Sequence, residues 1–154
     1  MRIIDGIVYD TVVVGPRVVL DTNVAVAAVR SRRGASFRVL SLVGSGKFEI
    51  ALSVPLILEY EDALLRNLEE ANLTRGDVRD ILDYVCSVAQ LQQIFFLWRP
   101  FLRDIRDDMV LEVAVAAGCE AVVTHNRKDF GGIEQFGLKA LTPQGLLKRI
   151  GELR

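Results

Sequence analysis

The chain has 154 residues, of which 51% are hydrophobic and 25% charged, a composition typical of one folded domain with a substantial core. Its formal net charge is −1, so no overall positive charge attracts nucleic acid, and such a ligand would need clustered cations or a bridging metal. No apolar run approaches a membrane span or signal-peptide core, and Cys86 and Cys119 lie far apart in apolar stretches typical of buried free thiols, so we expect a reducing cytoplasm.

Strand-like and helix-like segments alternate along the first half of the chain. The expected order is a strand over residues 18–20, helical segments over 24–29 and 37–43, a strand over 48–52, and helices over 53–68 and 74–89. Ser53 is the expected cap of the first long helix, with Pro55 in its first turn, and Thr74 forms a capping box with Asp77 at the start of the second.

The second half continues the alternation. The expected order is a short strand over residues 93–97, a loop over 98–105, a helix from 107 or 108 to 117, strands over 121–124 and 138–141, and a last helix capped by Thr142. This pattern predicts a three-layer α/β/α sandwich around a mostly parallel sheet. Residues 1–16 are expected to form an extension, an extra strand or a hairpin, and residues 17–154 a single domain.

Acidic and amide side chains follow several of the predicted strands. Asp21 ends the first strand, Glu59 lies early in the helix after the second, Asp108 lies at a helix start, and Asn126 and Asp129 follow the strand over 121–124. In an open parallel sheet, ligands bind beyond the carboxyl ends of the strands. Carboxylates that converge there repel one another unless a cation neutralises them, and oxygen ligands favour Mg²⁺ or Mn²⁺. Such an ion can activate water for attack on a phosphodiester.

Each of these residues also has an ordinary explanation when it is taken alone. Asp21 is equally suited to cap a helix, Glu59 has charged neighbours typical of a solvated helix face, and Asn126 and Asp129 are common turn residues. Within the run of Asp104, Asp107 and Asp108, at least one acid is expected to be only a cap or a loop charge.

Three further features favour a structural explanation over a functional one. Glu112, one turn after Asp108, is better explained as a solvated charge than as a site residue. His125 is the only histidine and has no evident partner for acid–base catalysis. The candidate phosphate contacts Arg30, Arg32 and Arg33 are better explained as an exposed basic loop.

The order of these motifs resembles the PIN-domain family of metal-dependent ribonucleases, which includes the VapC-type toxins of toxin–antitoxin modules. The resemblance covers residues 17–150 and rests on four segments: 17–24 (RVVLDTNV), 52–60 (LSVPLILEY), 103–112 (RDIRDDMVLE) and 122–130 (VVTHNRKDF). It places Asp21, Glu59 and Asp108 at the first three acidic positions, with Asp107 as the neighbouring competitor for the third.

The resemblance implies roles for these residues and for three others in the last segment. Asp21, Glu59, Asp108 and Asp129 would be catalytic, and the first three with Asn126 would bind Mg²⁺ or Mn²⁺. Asn23 and Thr124 would orient substrate or metal-bound water. Many members of the family carry an acid where this chain has Asn126. Because an amide is a weaker ligand for a hard cation, a second metal would bind poorly.

The implied reaction is hydrolytic cleavage of single-stranded RNA. The implied partners are a cognate antitoxin protein and a second copy of the chain, for which Leu64, Leu65, Ile81 and Tyr84 are candidate contacts, although their helical spacing is also typical of core. Two alternatives stay open: a binding module with weakened chemistry, and another Mg²⁺-dependent phosphohydrolase. A haloacid-dehalogenase-like enzyme would carry a second acid where this chain has Asn23.

Overall fold

The computed structural model describes the backbone of residues 2–4 and 7–9, and the backbone and side chains of residues 15–94 and 101–153. The strands are β1 (Arg2–Ile4), β2 (Ile7–Tyr9), β3 (Arg17–Leu20), β4 (Glu49–Leu52), β5 (Gln90–Leu91), β6 (Ala121–Val123) and β7 (Lys139–Leu141). The helices are α1 (Thr22–Arg30), α2 (Ala35–Leu42), α3 (Val54–Arg66), α4 (Leu68–Ala71), α5 (Arg75–Val88), α6 (Ile105–Ala116) and α7 (Pro143–Arg149). Short 3-10 helices span Arg127–Phe130 and Ile133–Phe136.

Five strands form one parallel sheet in the order β5-β4-β3-β6-β7. The central strand β3 pairs on both sides, with Val18 opposite Ile50 of β4 and Ala121 of β6. The predicted three-layer sandwich around a parallel sheet is confirmed. Because all five strands run in the same direction, the chain leaves β3, β4 and β6 at one common edge of the sheet.

Burial explains why the central strands read as continuous apolar runs. Val18 and Val19 of β3 and all three residues of β6 are fully buried, as expected for strands covered on both faces.

The predicted helix caps are also present. The Ser53 hydroxyl accepts a hydrogen bond from the Leu56 amide, and Thr74 and Asp77 form the expected capping box at the start of α5.

Several element boundaries differ from the predicted ones. The strand expected over 93–97 lies instead at Gln90–Leu91, residues 92–94 are not in a strand, and residues 95–97 lie outside the described residues. The helix expected to run to 68 ends at Arg66, and α4 follows as a separate turn. The helix expected to start at 107 or 108 begins at Ile105, because the Asp104 carboxylate accepts the Arg106 amide and caps it. The expected loop is therefore one residue shorter, and residues 98–100 lie outside the described residues.

Three further expectations concern the N-terminal segment, the two cysteines and membrane-spanning helices. β1 and β2 pair antiparallel, as one of the alternatives for the N-terminal segment supposed, whereas the division into an extension and one domain stays a prediction. Both cysteines are free thiols, but only Cys119 is buried, and burial raises its pKa to about 12. Among the described residues, no helix combines the length and apolar character that crossing a membrane requires.

The candidate dimer contacts do not form one exposed surface. Leu64 belongs to the core, and Leu65 and Ile81 are partly buried against it. Tyr84 is exposed, and its hydroxyl donates a hydrogen bond to the Val43 carbonyl. For Leu64 the alternative of a core position is therefore confirmed, and self-association stays a prediction.

The fold predicts an unequal response to the loss of two tyrosine hydroxyls. The buried Tyr60 hydroxyl on α3 donates to the Leu20 carbonyl at the end of β3, while Tyr84 makes its backbone contact in a more exposed setting. Tyr60→Phe leaves a buried carbonyl unpaired and is expected to lower the free energy of unfolding by about 1–2 kcal/mol. Tyr84→Phe should cost less, because water can replace its hydroxyl. Urea denaturation of both variants checks this, and equal losses would contradict it.

Candidate active site

An open cavity of about 410 Å³ lies at the edge of the sheet where β3, β4 and β6 end. Its acidic lining residues are Asp21, Glu59, Asp104, Asp107 and Asp129. Its amide and hydroxyl residues are Thr22, Asn23, Asn67 and Asn126, its cations are Arg30, Arg66 and Arg106, and its apolar residues are Val26, Ala27 and Ala63. Most of the side chains that the sequence singled out therefore meet in one place.

Asp21 is both a helix cap and a cavity residue. Its Oδ1 accepts the Thr22 amide at 2.8 Å, which caps α1, and its Oδ2 accepts the Thr124 hydroxyl at 2.8 Å. Burial raises the pKa of this carboxyl, the two hydrogen bonds oppose that rise, and the charges of Asp129 and Asp104 add to it. The helix cap expected for Asp21 is confirmed, and its role as a metal ligand stays a prediction.

Thr124 connects the residues around Asp21. Besides donating to Asp21, its hydroxyl oxygen accepts the Asn23 side-chain amide at 3.4 Å and the Asn126 backbone amide at 3.0 Å. The side chain is fully buried and does not line the cavity. The role expected for Thr124 in orienting substrate or metal-bound water stays a prediction, and the contact that the structure shows is the bond from its hydroxyl to the Asp21 carboxylate. Asn23 and Asn126 do line the cavity.

The third acid in the cavity is Asp107, not Asp108. Asp107 lines the cavity, whereas Asp108 is 7% exposed and its Oδ1 accepts the backbone amides of Phe101 and Leu102 at 3.1 and 2.8 Å. The Asp108 Oδ2 atom is buried without a hydrogen-bond partner. Consecutive helix residues point about 100° apart, so only one of the two can face the cavity. The lining of the cavity thus favours Asp107 over Asp108, and the metal-binding role of the third acid stays a prediction.

The carboxylates in the cavity affect one another electrostatically. The pKa of Asp107 is raised to about 6, chiefly by burial and then by the negative charges of Asp21, Asp104 and Asp129. These four residues come from the end of β3, the loop before α6, α6 itself and the 3-10 helix after β6. Separate parts of the chain therefore bring like charges into one electrostatic environment.

The remaining wall combines acids with cations. Glu59 is partly buried on α3, and its charge helps raise the pKa of the Arg106 guanidinium, although the Asp104 carboxylate has the larger effect. Arg106 binds Asp104 through two contacts, Nε to Oδ1 at 3.3 Å and Nη2 to Oδ2 at 3.0 Å, and this holds the pKa of Asp104 below its ordinary value. Asp104 is thus both the cap of α6 and half of an ion pair at the rim.

Two residues lie outside the cavity in unexpected surroundings. Glu112 is buried, so the expectation of a solvated helix charge is wrong. His125 has a partner that the sequence did not reveal, because its Nε2 lies 2.7 Å from the hydroxyl oxygen of buried Ser36. His125 does not line the acidic cavity.

The cations of the cavity were only partly anticipated. Arg30 lines it and forms an ion pair with Glu70 at 3.0 Å, while Arg32 and Arg33 are exposed and do not line it. Sequence reasoning missed Arg66, although it follows Glu59 and Ala63 on α3 at the helical spacing of one face. That spacing is the signal that would have identified it.

The donor chemistry of the cavity suits a hard divalent cation. All candidate ligands are carboxylate or amide oxygens, and the negative charges of Asp21, Asp104 and Asp129 add to burial in raising the pKa of Asp107. Within residues 15–94 and 101–153, no three acidic, histidine or cysteine side chains are arranged closely enough to hold an ion as they stand. The cavity therefore fits a divalent cation in its charge and in its type of ligand, but its side chains are not already arranged around an ion.

The raised pKa of Asp107 predicts how pH affects stability in the absence of divalent ions. A folded-state pKa of about 6 against an ordinary 3.8 means that the folded protein holds this proton more tightly, so its stability falls as pH rises from about 4 to about 6. Asp107→Asn removes this penalty. The shift corresponds to at most about 3 kcal/mol, which solvent screening of this partly exposed group reduces to about 1 kcal/mol.

Urea denaturation in EDTA checks this prediction. Asp107→Asn should be more stable than the wild type at a pH of about 7.5 and nearly equal to it at a pH of about 4. Asp80→Asn, at an exposed position of α5, is the matched control and should show no gain. A loss of stability in Asp107→Asn at neutral pH would contradict the account.

Comparisons with known proteins identify the family. A model of the PIN domain matches residues 17–128, and no curated protein matches the chain significantly. The fold is similar to that of a chain in the crystal structure of VapBC2 from Rickettsia felis bound to a DNA fragment from their promoter. The TM-score is 0.52 and the identity 16%, covering 82% of this chain and 98% of that one. The chain belongs to the PIN domain family, whose members are generally nucleases.

Proposed function

We propose that the protein is a metal-dependent endoribonuclease that cleaves single-stranded RNA. The observation that carries the proposal is the cavity lined by Asp21, Asp107 and Asp129, in which burial and the charge of Asp129 raise the pKa of both Asp21 and Asp107. Membership of a family of nucleases supports the reaction class. Asp107 replaces Asp108 in the assignment, because only its side chain lines the cavity.

The proposed ligands of Mg²⁺ or Mn²⁺ are Asp21, Glu59, Asp107, Asp129 and Asn126. When bound, the ion would lower the pKa of a water molecule and offset charge that develops on the phosphate. Asn126 supplies an amide oxygen in place of a carboxylate, so we propose one firmly held ion.

The chain's own residues would prepare this site. The Thr124 hydroxyl keeps Asp21 directed into the cavity, and the side chain of Asn23 bonds to both Thr124 and the backbone of His125. Arg30 and Arg66 also line the cavity and would receive the backbone phosphates of a single strand. Binding through phosphates requires no reading of a duplex groove.

We further propose that the protein is the toxin of a toxin–antitoxin pair. The motif order resembles that of VapC-type toxins, and a solved structure of similar fold is that of VapBC2 with promoter DNA. A cognate antitoxin would be expected to cover the acidic cavity and block substrate. A short open reading frame directly upstream of the gene would support this part of the proposal. We also propose that the protein forms a homodimer, which self-association in solution would support.

Cleavage of defined single-stranded RNAs tests the catalytic proposal. The wild type should cleave with Mg²⁺ or Mn²⁺ and lose activity in EDTA, and Asp21→Asn should reduce the rate by at least about 100-fold, because it removes a ligand of the ion. Asp80→Asn should leave the rate unchanged.

Two results would overturn the catalytic proposal. The first is the absence of metal-dependent cleavage by a well-folded wild type, which would favour a binding module and accord with Asn126 standing in for an acid. The second is release of phosphate from small phosphomonoesters without cleavage of RNA, which would favour a phosphohydrolase.

A further inference from the structure

Two exposed phenylalanines touch each other beside the acidic cavity. Phe101 is 40% exposed and Phe136 38% exposed, and their ring centroids lie 5.2 Å apart at an interplanar angle of 79°, an edge-to-face contact. Large apolar rings gain from burial, so leaving both partly in solvent has a cost that a bound ligand would remove. The acidic site described above does not use either ring.

The Phe101 ring is held in a fixed position. The Asp108 carboxylate binds the backbone amides of Phe101 and Leu102, which ties this segment to α6. The ring also lies against Gly132, where an added Cβ would come within 3.2 Å of the Phe101 Cζ atom, and Gly132 has a φ of +90°. A larger residue at 132 would therefore displace the ring. Buried Asp108 thus positions the segment that carries Phe101.

The ring lies in a groove that continues from the cavity. This groove has a volume of about 710 Å³, and its lining residues are Phe101, Leu102, Arg103, Asp104, Asp107, Lys128, Asp129 and Gly131. Asp104, Asp107 and Asp129 also line the acidic cavity, so the two spaces share a wall. A ligand strand bound at the acids can therefore continue directly into the groove.

The charges of the groove favour a polyanion with aromatic bases. Arg103 and Lys128 are exposed, and neither forms an ion pair within the described part of the chain. Sites for single-stranded nucleic acid combine such cations with aromatic side chains on which bases stack. A negatively charged strand can neutralise these two cations while one of its bases covers the Phe101 ring.

We propose that Phe101 stacks a base of single-stranded RNA next to the phosphate held in the acidic cavity, with Arg103 and Lys128 on the adjoining backbone phosphates. This proposal rests on the proposed nuclease function and assigns it a nucleotide subsite. Because stacking requires only the face of a base, the subsite would position the strand for cleavage with little selection of sequence.

Binding of two oligomers to the full chain tests the subsite. The probes are a short fluorescein-labelled oligoadenylate and an abasic ribose-phosphate oligomer of equal length and charge. Their dissociation constants are measured by fluorescence anisotropy, with Ca²⁺ in place of Mg²⁺ to neutralise the acids. Phe101→Leu should weaken oligoadenylate binding about tenfold and leave abasic binding unchanged, and Phe101→Trp should retain both affinities.

Several results would overturn the subsite. These are an equal loss for both oligomers in Phe101→Leu, no loss for either, or binding of neither by the wild type.

The same variants separate this proposal from the nuclease proposal. If the wild type cleaves RNA and Phe101→Leu changes neither kcat nor KM, the subsite fails while the nuclease stands. If oligoadenylate binding depends on Phe101 but no cleavage occurs under any divalent ion, the nuclease fails and Phe101 is a contact of a binding module. Unfolding midpoints of both variants confirm that each is folded.

Discussion

Repulsion between the carboxylates of Asp21, Asp107 and Asp129 is the constraint on which the candidate site depends. Each comes from a different segment. Burial is the main cause of the raised pKa of Asp21 and of Asp107, and the negative charge of Asp129 raises both further. Such a cluster weakens the fold unless a cation neutralises it, and its position at the edge of a parallel sheet supports the proposed divalent ion. The cations on the same wall, Arg30 and Arg66, already have acidic surface partners in Glu70 and Asp62 and do not remove this need.

The rest of the fold holds this cluster in place. β3 pairs with the fully buried β6 and buries its own residues 18–20, so Asp21 leaves the sheet at a fixed point, and its backbone amide donates to the Val123 carbonyl at 2.8 Å. The Thr124 hydroxyl then fixes the carboxylate itself, while Tyr60 pairs the carbonyl of the preceding residue. Strand burial, a hydroxyl and a helix cap together offset the cost of bringing charges together. The same buried framework anchors Phe101 through Asp108, which links the acids to the adjoining groove.

The sequence predicted much of this arrangement, because its strongest signals are local. Buried β-branched runs and the caps at Ser53 and Thr74 depend on neighbouring residues, and the order of the acids followed from the ends of the strands. The choice between Asp107 and Asp108 could not be made in the same way, since it depends on where α6 begins, and Asp104 sets that start through a side-chain bond. The burial of Glu112 and Thr124 is decided by packing between distant segments, which spacing along one segment does not reveal.

Calorimetric titration of Mn²⁺ into the wild type, Asp107→Asn and Asp108→Asn tests the central claim most directly, because the two substitutions are chemically identical and adjacent. The account predicts that the wild type and Asp108→Asn bind the ion with similar affinity, since an asparagine oxygen at 108 can still accept the amides of Phe101 and Leu102. It predicts that Asp107→Asn weakens binding at least about tenfold, as expected for loss of a carboxylate ligand. Retention of affinity in Asp107→Asn together with its loss in a folded Asp108→Asn would contradict the account.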